Sequence, residues 1–182
     1  MKRIGHVIWL FGLSGAGKST LAAALQDELF RRSSINVLML DGDQLRNGLC
    51  RGLGFTDMGR EENLRRAAEV ARIGIESGLV VIAAFITPRE QHREMIRSIV
   101  GKNNLSLVHL AASLEVCRNR DVKGLYARSV SGHISLMTGI DSHFDEPTHF
   151  DLRIDTTTRS VGDCLVILAG FACQLLSKKN II

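Results

Sequence analysis

Eight residues, Gly12-Leu13-Ser14-Gly15-Ala16-Gly17-Lys18-Ser19, follow directly on the apolar run His6–Phe11 and lead into apolar residues at helical spacing, Leu21, Ala24, Leu25 and Leu29. They match GxxxxGK[ST] in full, with a strand before and a helix after, which is the context this pattern needs to act as a phosphate-binding loop. Glycines let backbone N–H groups converge on phosphate oxygens without Cβ clashes. The helix that starts near Lys18 adds its positive N-terminal dipole. Lys18 can reach the β- and γ-phosphates, and Ser19 can ligate Mg²⁺. The expected nucleotide-binding set is therefore Gly12, Leu13, Ser14, Gly15, Ala16, Gly17, Lys18, Ser19 and the adjoining Thr20.

The loop alone implies a nucleoside triphosphate and not a reaction. An NKxD guanine motif and a hydrophobic run ending in Asp-Glu do not occur in the chain, so a GTPase and a motor ATPase are disfavoured. A length of 182 residues suits a single domain, 1–182, and favours a kinase of small molecules. Net charge is +4, with Lys and Arg spread along the chain and never in a run of five. That suits an anionic small ligand and gives no reason to expect nucleic acid. Cys50, Cys117, Cys164 and Cys173 form no CxxC pair and have no zinc spacing, so free thiols in a reducing cytoplasm are expected. The six histidines show no metal spacing either and are expected at the surface. The N-terminal apolar stretch is too short for a signal peptide, and no run has the length of a membrane span. Residues 164–176 are apolar but contain Gly170 and Gln174, and read as a buried final helix.

Short apolar runs alternate with helical patterns. Strands are expected at His6–Phe11, 36–40, 79–86, Leu105–Ala111 and Leu152–Asp155. Helices are expected at 18–32, 60–78, 89–100 (entered through Pro88), Leu114–Arg120 and 161–176. Such alternation implies an α/β fold, a three-layer sandwich of the P-loop NTPase type with a parallel sheet of about five strands and helices on both faces. Two polar, Gly-rich stretches, 44–59 and 123–149, break the alternation. Long connections in a compact domain are usually functional, and these fall beyond the carboxyl ends of strands, where ligands bind. The second is expected to be a mobile lid.

The second strand runs into Asp41-Gly42-Asp43-Gln44-Leu45-Arg46. Two carboxylates beside the phosphate loop can hold Mg²⁺ through water or accept a hydroxyl proton. They can equally be an acidic turn with helix caps. Further along come Gly54-Phe55-Thr56, Arg60-Glu61-Glu62-Asn63-Leu64-Arg65-Arg66, Phe85-Ile86-Thr87-Pro88, Arg120-Asp121-Val122-Lys123-Gly124-Leu125-Tyr126 and Thr138-Gly139-Ile140-Asp141. In this order, and together with the phosphate loop and Asp41-Gly42-Asp43, these motifs resemble the adenylyl-sulfate kinase (APS kinase) family over roughly residues 5–160. The resemblance implies a phosphotransferase acting on an alcohol. It would move the γ-phosphate of ATP, with Mg²⁺, to the ribose 3′-hydroxyl of adenosine 5′-phosphosulfate, giving PAPS in sulfate assimilation. It also implies roles. Asp43 would orient or deprotonate the hydroxyl, with Asp41 beside it and available to Mg²⁺ through water. Arg46, Arg60 and Asn63 would grip the acceptor, Phe55 would stack on its base, and Ile86 and Thr87 would lie near the transfer site. Lys123 would neutralise the phosphoryl group in transit, and Arg120 would lie near the ATP base with Asp121 bracing that segment. A homodimer is implied as well. On residue type alone, Thr87 reads as a cap for the helix that follows. Arg65, Arg66 and Arg72 read as a solvated helix face.

Departures from the family pattern cluster on the acceptor side. Gly59 precedes Arg60 where an Asp is usual. Thr87-Pro88-Arg89-Glu90 replaces Ser-Pro-Tyr-Arg. Met137 replaces a phenylalanine that closes an aromatic sandwich on the adenine, and His143-Phe144-Asp145 replaces Pro-Tyr-Glu. Met can pack on a ring but is flexible and less selective than an aromatic; Phe144 is a candidate substitute. Two readings follow, a divergent APS kinase or a paralogue that phosphorylates another 5′-substituted nucleotide, for instance in surface-polysaccharide synthesis. A non-catalytic nucleotide-binding regulatory domain would be marked by loss of Lys18, Asp43 or Lys123, and all three are present.

Overall fold

Five strands form one parallel sheet: β1 (His6–Phe11), β2 (Val37–Asp41), β3 (Val80–Phe85), β4 (Leu105–Ala111) and β5 (Leu152–Asp155), in the spatial order β2-β3-β1-β4-β5. The computed structural model describes residues 5–121, 124, 138 and 142–182. Every residue of β1, β3 and β4 is buried, which is why these strands are continuous apolar runs: a parallel strand covered on both faces has no side for water. β1 sits at the centre, flanked by β3 and β4, so the phosphate loop at its carboxyl end emerges from the middle of the sheet.

Alternation along β1 distributes its side chains between two cores. Ile8 and Leu10 pack with α1 (Lys18–Ser33) and the last helix, α6 (Val161–Lys178). Val7, Trp9 and Phe11 pack with α3 (Asp57–Glu76) and α4 (Glu90–Val100). The stripe Leu64, Ala67, Ala68, Ala71 and Ile75 is buried as its spacing requires. The opposite face of α3 carries Arg65, Arg66 and Arg72, which pair with Glu62, Glu69 and Glu76 on the same helix, as a solvated face should.

Four expectations need correction. The stretch 44–59 is not irregular throughout. Asp41 Oδ1 accepts the Asp43 N–H at 2.9 Å and so caps a short helix, α2 (Gly42–Asn47). Helix α3 begins at Asp57 and not at 60, because Thr56 Oγ1 accepts the Gly59 N–H at 3.2 Å. Three histidines, His6, His92 and His109, are buried and not at the surface. The last helix is buried along one stripe only. Cys164, Leu168, Ala169, Ala172 and Leu176 pack inward, while Val166 is 74% exposed. By length and composition alone α6 is apolar enough to cross a membrane; here its inner stripe packs on α1 and β5.

Candidate active site

The phosphate loop owes its shape to three glycines with positive φ: Gly12 at 147°, Gly15 at 82° and Gly17 at 90°. Two of them also permit close backbone approach. A Cβ on Gly12 would lie 2.4 Å from the Leu110 carbonyl oxygen, and one on Gly15 would lie 2.9 Å from that of Cys117 in α5 (Leu114–Arg120). The Gly12 N–H donates to the Ile86 carbonyl at 3.3 Å, tying the loop to the end of β3. Lys18 Nζ donates to the carbonyls of Gly12 (3.0 Å) and Leu13 (2.7 Å), so its ammonium rests against the rim of the loop.

One cleft of about 840 Å³ opens at the carboxyl ends of the strands, within the range of ligand-binding cavities. Ser14 to Thr20, Asp41, Asp43, Arg46, Phe55, Arg60, Asn63, Ile86, Thr87 and Arg120 all line it. The sheet therefore brings together nearly every residue singled out in the sequence. Gly12 and Leu13 are not among its lining residues, and Leu13 borders a second, smaller pocket. Lys123 and Met137, and most of the stretch 123–149, lie outside the described residues.

On the triphosphate side, Ser19 Oγ donates to Asp41 Oδ2 at 2.7 Å. A hydroxyl and a carboxylate side by side at the loop fit Mg²⁺, which keeps several waters and takes one or two protein oxygens plus phosphates. Among the described residues no cluster of three or more His, Cys, Asp or Glu could hold a metal unaided, so the protein would depend on the nucleotide to complete the coordination. Arg120 spans from the Gly15 carbonyl (3.3 Å) to that of Thr156.

On the other side, Phe55 is 53% exposed and flanked by two guanidinium groups, Arg46 at 4.4 Å and Arg60 at 5.7 Å from its ring centre. This exposure excludes a core role and leaves the ring accessible from the cleft. Arg46 also donates to the Leu53 and Gly54 carbonyls, and Arg60 to that of Phe55. Burial pulls both arginines below their usual pKa, and for Arg60 the nearby Arg46 adds to the effect. Both stay charged at any working pH, so this corner favours an anion. Asn63 is buried, lines the cleft, and its Oδ1 has no hydrogen-bond partner among the described residues. Gly59 is where it is because a Cβ there would come within 2.6 Å of the Gly54 carbonyl. The Phe55 loop packs directly on the backbone of α3.

Thr87 does not cap α4. The N-cap residue is Arg89, and the Glu90 N–H is taken by Asp145 Oδ2 at 2.9 Å. Pro88 accordingly precedes the helix and does not enter it. Phe144 is turned away from the cleft and stacks near His109 at 6.2 Å and Arg93 at 5.9 Å, so it does not stand in for the missing aromatic. Sequence reasoning missed Thr156, Arg159, Val161 and Cys164, which line the cleft beyond β5. Their only signal was a polar run, Thr156-Thr157-Thr158-Arg159, immediately past a strand end.

Comparison with known proteins agrees with this fold. A family model described as adenylylsulphate kinase matches residues 4–155. The adenylyl-sulfate kinase of Prochlorococcus marinus is 45% identical over 167 residues, 90% of this chain and 83% of the relative. That of Bacteroides thetaiotaomicron is 43% identical over 173 residues, 95% and 86% of the two chains. Among solved structures, the Mycobacterium tuberculosis APS kinase in complex with AMPPNP and APS superposes with a TM-score of 0.87 at 36% identity, covering 96% of this chain and 98% of that one.

Proposed function

The chain belongs to the adenylyl-sulfate kinase family, and from that membership we propose that it transfers the γ-phosphate of ATP to the ribose 3′-hydroxyl of adenosine 5′-phosphosulfate, giving PAPS and ADP. Of the two readings of the sequence, the curated relatives favour this acceptor. The observation that carries the reading is that a single cleft holds both the phosphate loop and the Arg46–Phe55–Arg60 cage, with Asp43 on the short helix between them.

Phosphoryl transfer asks a protein mainly to position the reactants and to neutralise spread negative charge. The loop N–H groups and Lys18 hold the β- and γ-phosphates. Ser19 and Asp41 would hold Mg²⁺, directly or through water, and the ion when bound draws charge from the same phosphates. Arg46 and Arg60 grip the phosphosulfate as forked donors, and Phe55 stacks on the acceptor base. Asn63 Oδ1 accepts a hydrogen bond from the acceptor. Asp43 takes the 3′-hydroxyl proton as that oxygen attacks the γ-phosphorus and the bond to the β,γ-bridging oxygen breaks. Lys123 and Met137 are assigned to the transferring group and the acceptor base by resemblance. Arg120, Thr156, Arg159, Val161 and Cys164 form the far end of the cleft, where the ATP base would lie. The chain acts as one kinase domain, as a homodimer in the cytoplasm; its four free thiols suit a reducing compartment.

The test is ADP release in a coupled assay with adenosine phosphosulfate and with a panel of other 5′-substituted nucleotides. Turnover should depend on adenosine phosphosulfate. Stimulation by a different nucleotide alone would overturn the acceptor, and ATP hydrolysis indifferent to every acceptor would overturn the kinase.

A further inference from the structure

Beside the cleft, a network of buried groups touches no part of the expected ligands yet holds one residue that does. Trp9, wholly buried in β1, donates its indole N–H to Thr87 Oγ1 at 2.9 Å. Thr87 itself is 1% exposed, lines the cleft and has φ of 47°. A β-branched residue with positive φ is an outlier, and such strain persists only where the surroundings over-determine it. Here they do. Arg93, 0% exposed, donates Nη1 to the Thr87 carbonyl at 3.1 Å and Nη2 to the Asp145 carbonyl at 3.0 Å, while its Nε meets Glu90 at 2.9 Å. The Asp145 N–H returns to the Pro88 carbonyl at 2.8 Å. Below, Trp9 stacks on Phe85 at 5.0 Å, and Ile86 holds Gly12 of the phosphate loop.

We infer that Trp9 is a positioning residue of the transfer step, which acts by fixing the Thr87 hydroxyl. A threonine hydroxyl has one proton and two lone pairs. With Trp9 occupying one lone pair, the proton is left to be donated into the cleft, and the oxygen cannot rotate away without leaving a buried indole N–H unpaired. The Thr87 hydroxyl is thus a fixed donor, set for an oxygen of the acceptor or of the phosphoryl group in transit. Arg93 supports the same residue from its backbone side. Because Gly12 hangs from Ile86, next in sequence to Thr87, donor loop and acceptor donor share one rigid joint. This rests on the kinase reading but makes a separate claim, since it concerns how a hydroxyl is held and not which nucleotide it meets.

Trp9 is the only tryptophan in the chain, so its fluorescence reports on this contact directly. In the protein without nucleotides, Thr87→Ala should shift the Trp9 emission maximum, and Thr87→Ser should leave it near wild type. An unshifted Thr87→Ala spectrum overturns the contact, whatever the acceptor proves to be. In the kinase assay, run with the acceptor the wild-type protein turns over, Trp9→Phe and Thr87→Ala should each lower kcat/KM for the acceptor by about tenfold, the effect of one lost hydrogen bond to a positioned group, with KM for ATP changed less than about twofold. The double variant should be no worse than the poorer single, and Thr87→Ser should recover most of the loss. Additive losses, or equal damage to ATP affinity, would assign Trp9 a packing role only. Should Trp9→Phe not fold, the spectra of the two Thr87 variants and the kinetics of Thr87→Ala against Thr87→Ser decide the question. If the wild type ignores adenosine phosphosulfate, the proposed acceptor fails while the spectral test still stands.

Discussion

Single side chains here act through the backbone groups and partners that aim them. Lys18 rests on the carbonyls of Gly12 and Leu13, at the rim of the loop proposed to hold the phosphates. Removing it with Lys18→Ala should lower kcat by about 10²–10³-fold, the usual cost of deleting one preorganised charge-stabilising donor. Initial-rate kinetics, with circular dichroism to confirm folding, would check this, and retained turnover would take the loop lysine out of the mechanism. Asp43 makes a different demand. Its N–H is bound by Asp41, which fixes the start of α2 and points the next carboxylate into the cleft. Asp43→Asn should reduce kcat by about 10²–10⁴-fold, the range for a positioned proton acceptor, with little change in KM for ATP. Equal loss of both would argue for a structural role.

Helices α2 and α3 with the loop between them form one wall of the cleft, proposed above to hold the acceptor, and one glycine decides how closely they pack. With no Cβ on Gly59, the Gly54 carbonyl can sit against α3, which sets the height of Phe55 above Arg46 and Arg60. Gly59→Ala would place a carbon 2.6 Å from that oxygen, so the loop must shift. The expected outcome is a rise in KM for the acceptor with ATP kinetics unchanged. Unaltered acceptor KM would mean the loop position is irrelevant. The ion pairs along the outer face of α3 carry no such weight. Glu62, Arg65, Arg66, Glu69 and Arg72 are solvent-facing, and pairs of this kind contribute little and are screened by salt. Arg65→Ala should therefore move the thermal midpoint by little, measured by differential scanning fluorimetry.

Over the whole molecule, two buried histidines connect stability to pH. His6 shares a hydrogen bond with Ser106 at 3.0 Å, and burial first, then Lys179, lowers its pKa from 6.5 to about 4. His109 lies stacked on Phe11, and burial, then Arg153 and Arg93, lowers it likewise to about 4. In the folded protein both stay neutral where an unfolded histidine would already be protonated. At these two sites the unfolded chain binds more protons between pH 6.5 and about 4, so their contribution to stability falls as pH drops through that window and changes no further below it. Thermal midpoints should decline over that range, and His109→Phe should flatten the decline. A midpoint independent of pH there would show that neither ring is held neutral.

The phosphate loop, the five strands and the stripes of α1 and α3 could be read from local sequence, because glycine chemistry and hydrophobic period are properties of short segments. The acceptor motifs were recognisable only as an ordered set of short patterns. Interactions between segments distant in the chain were beyond that reading. Helix α4 takes its cap from Asp145, more than fifty residues away. His6, His92 and His109 lie in the core since strand alternation and helix packing bury them, whatever their polarity. Thr87 is gripped by Trp9 across the sheet, and the cleft is completed by residues past β5 that no motif marks. Local pattern decides which segments become strands and helices; packing of the finished sheet decides which side chains meet, and with them the chemistry at its edge.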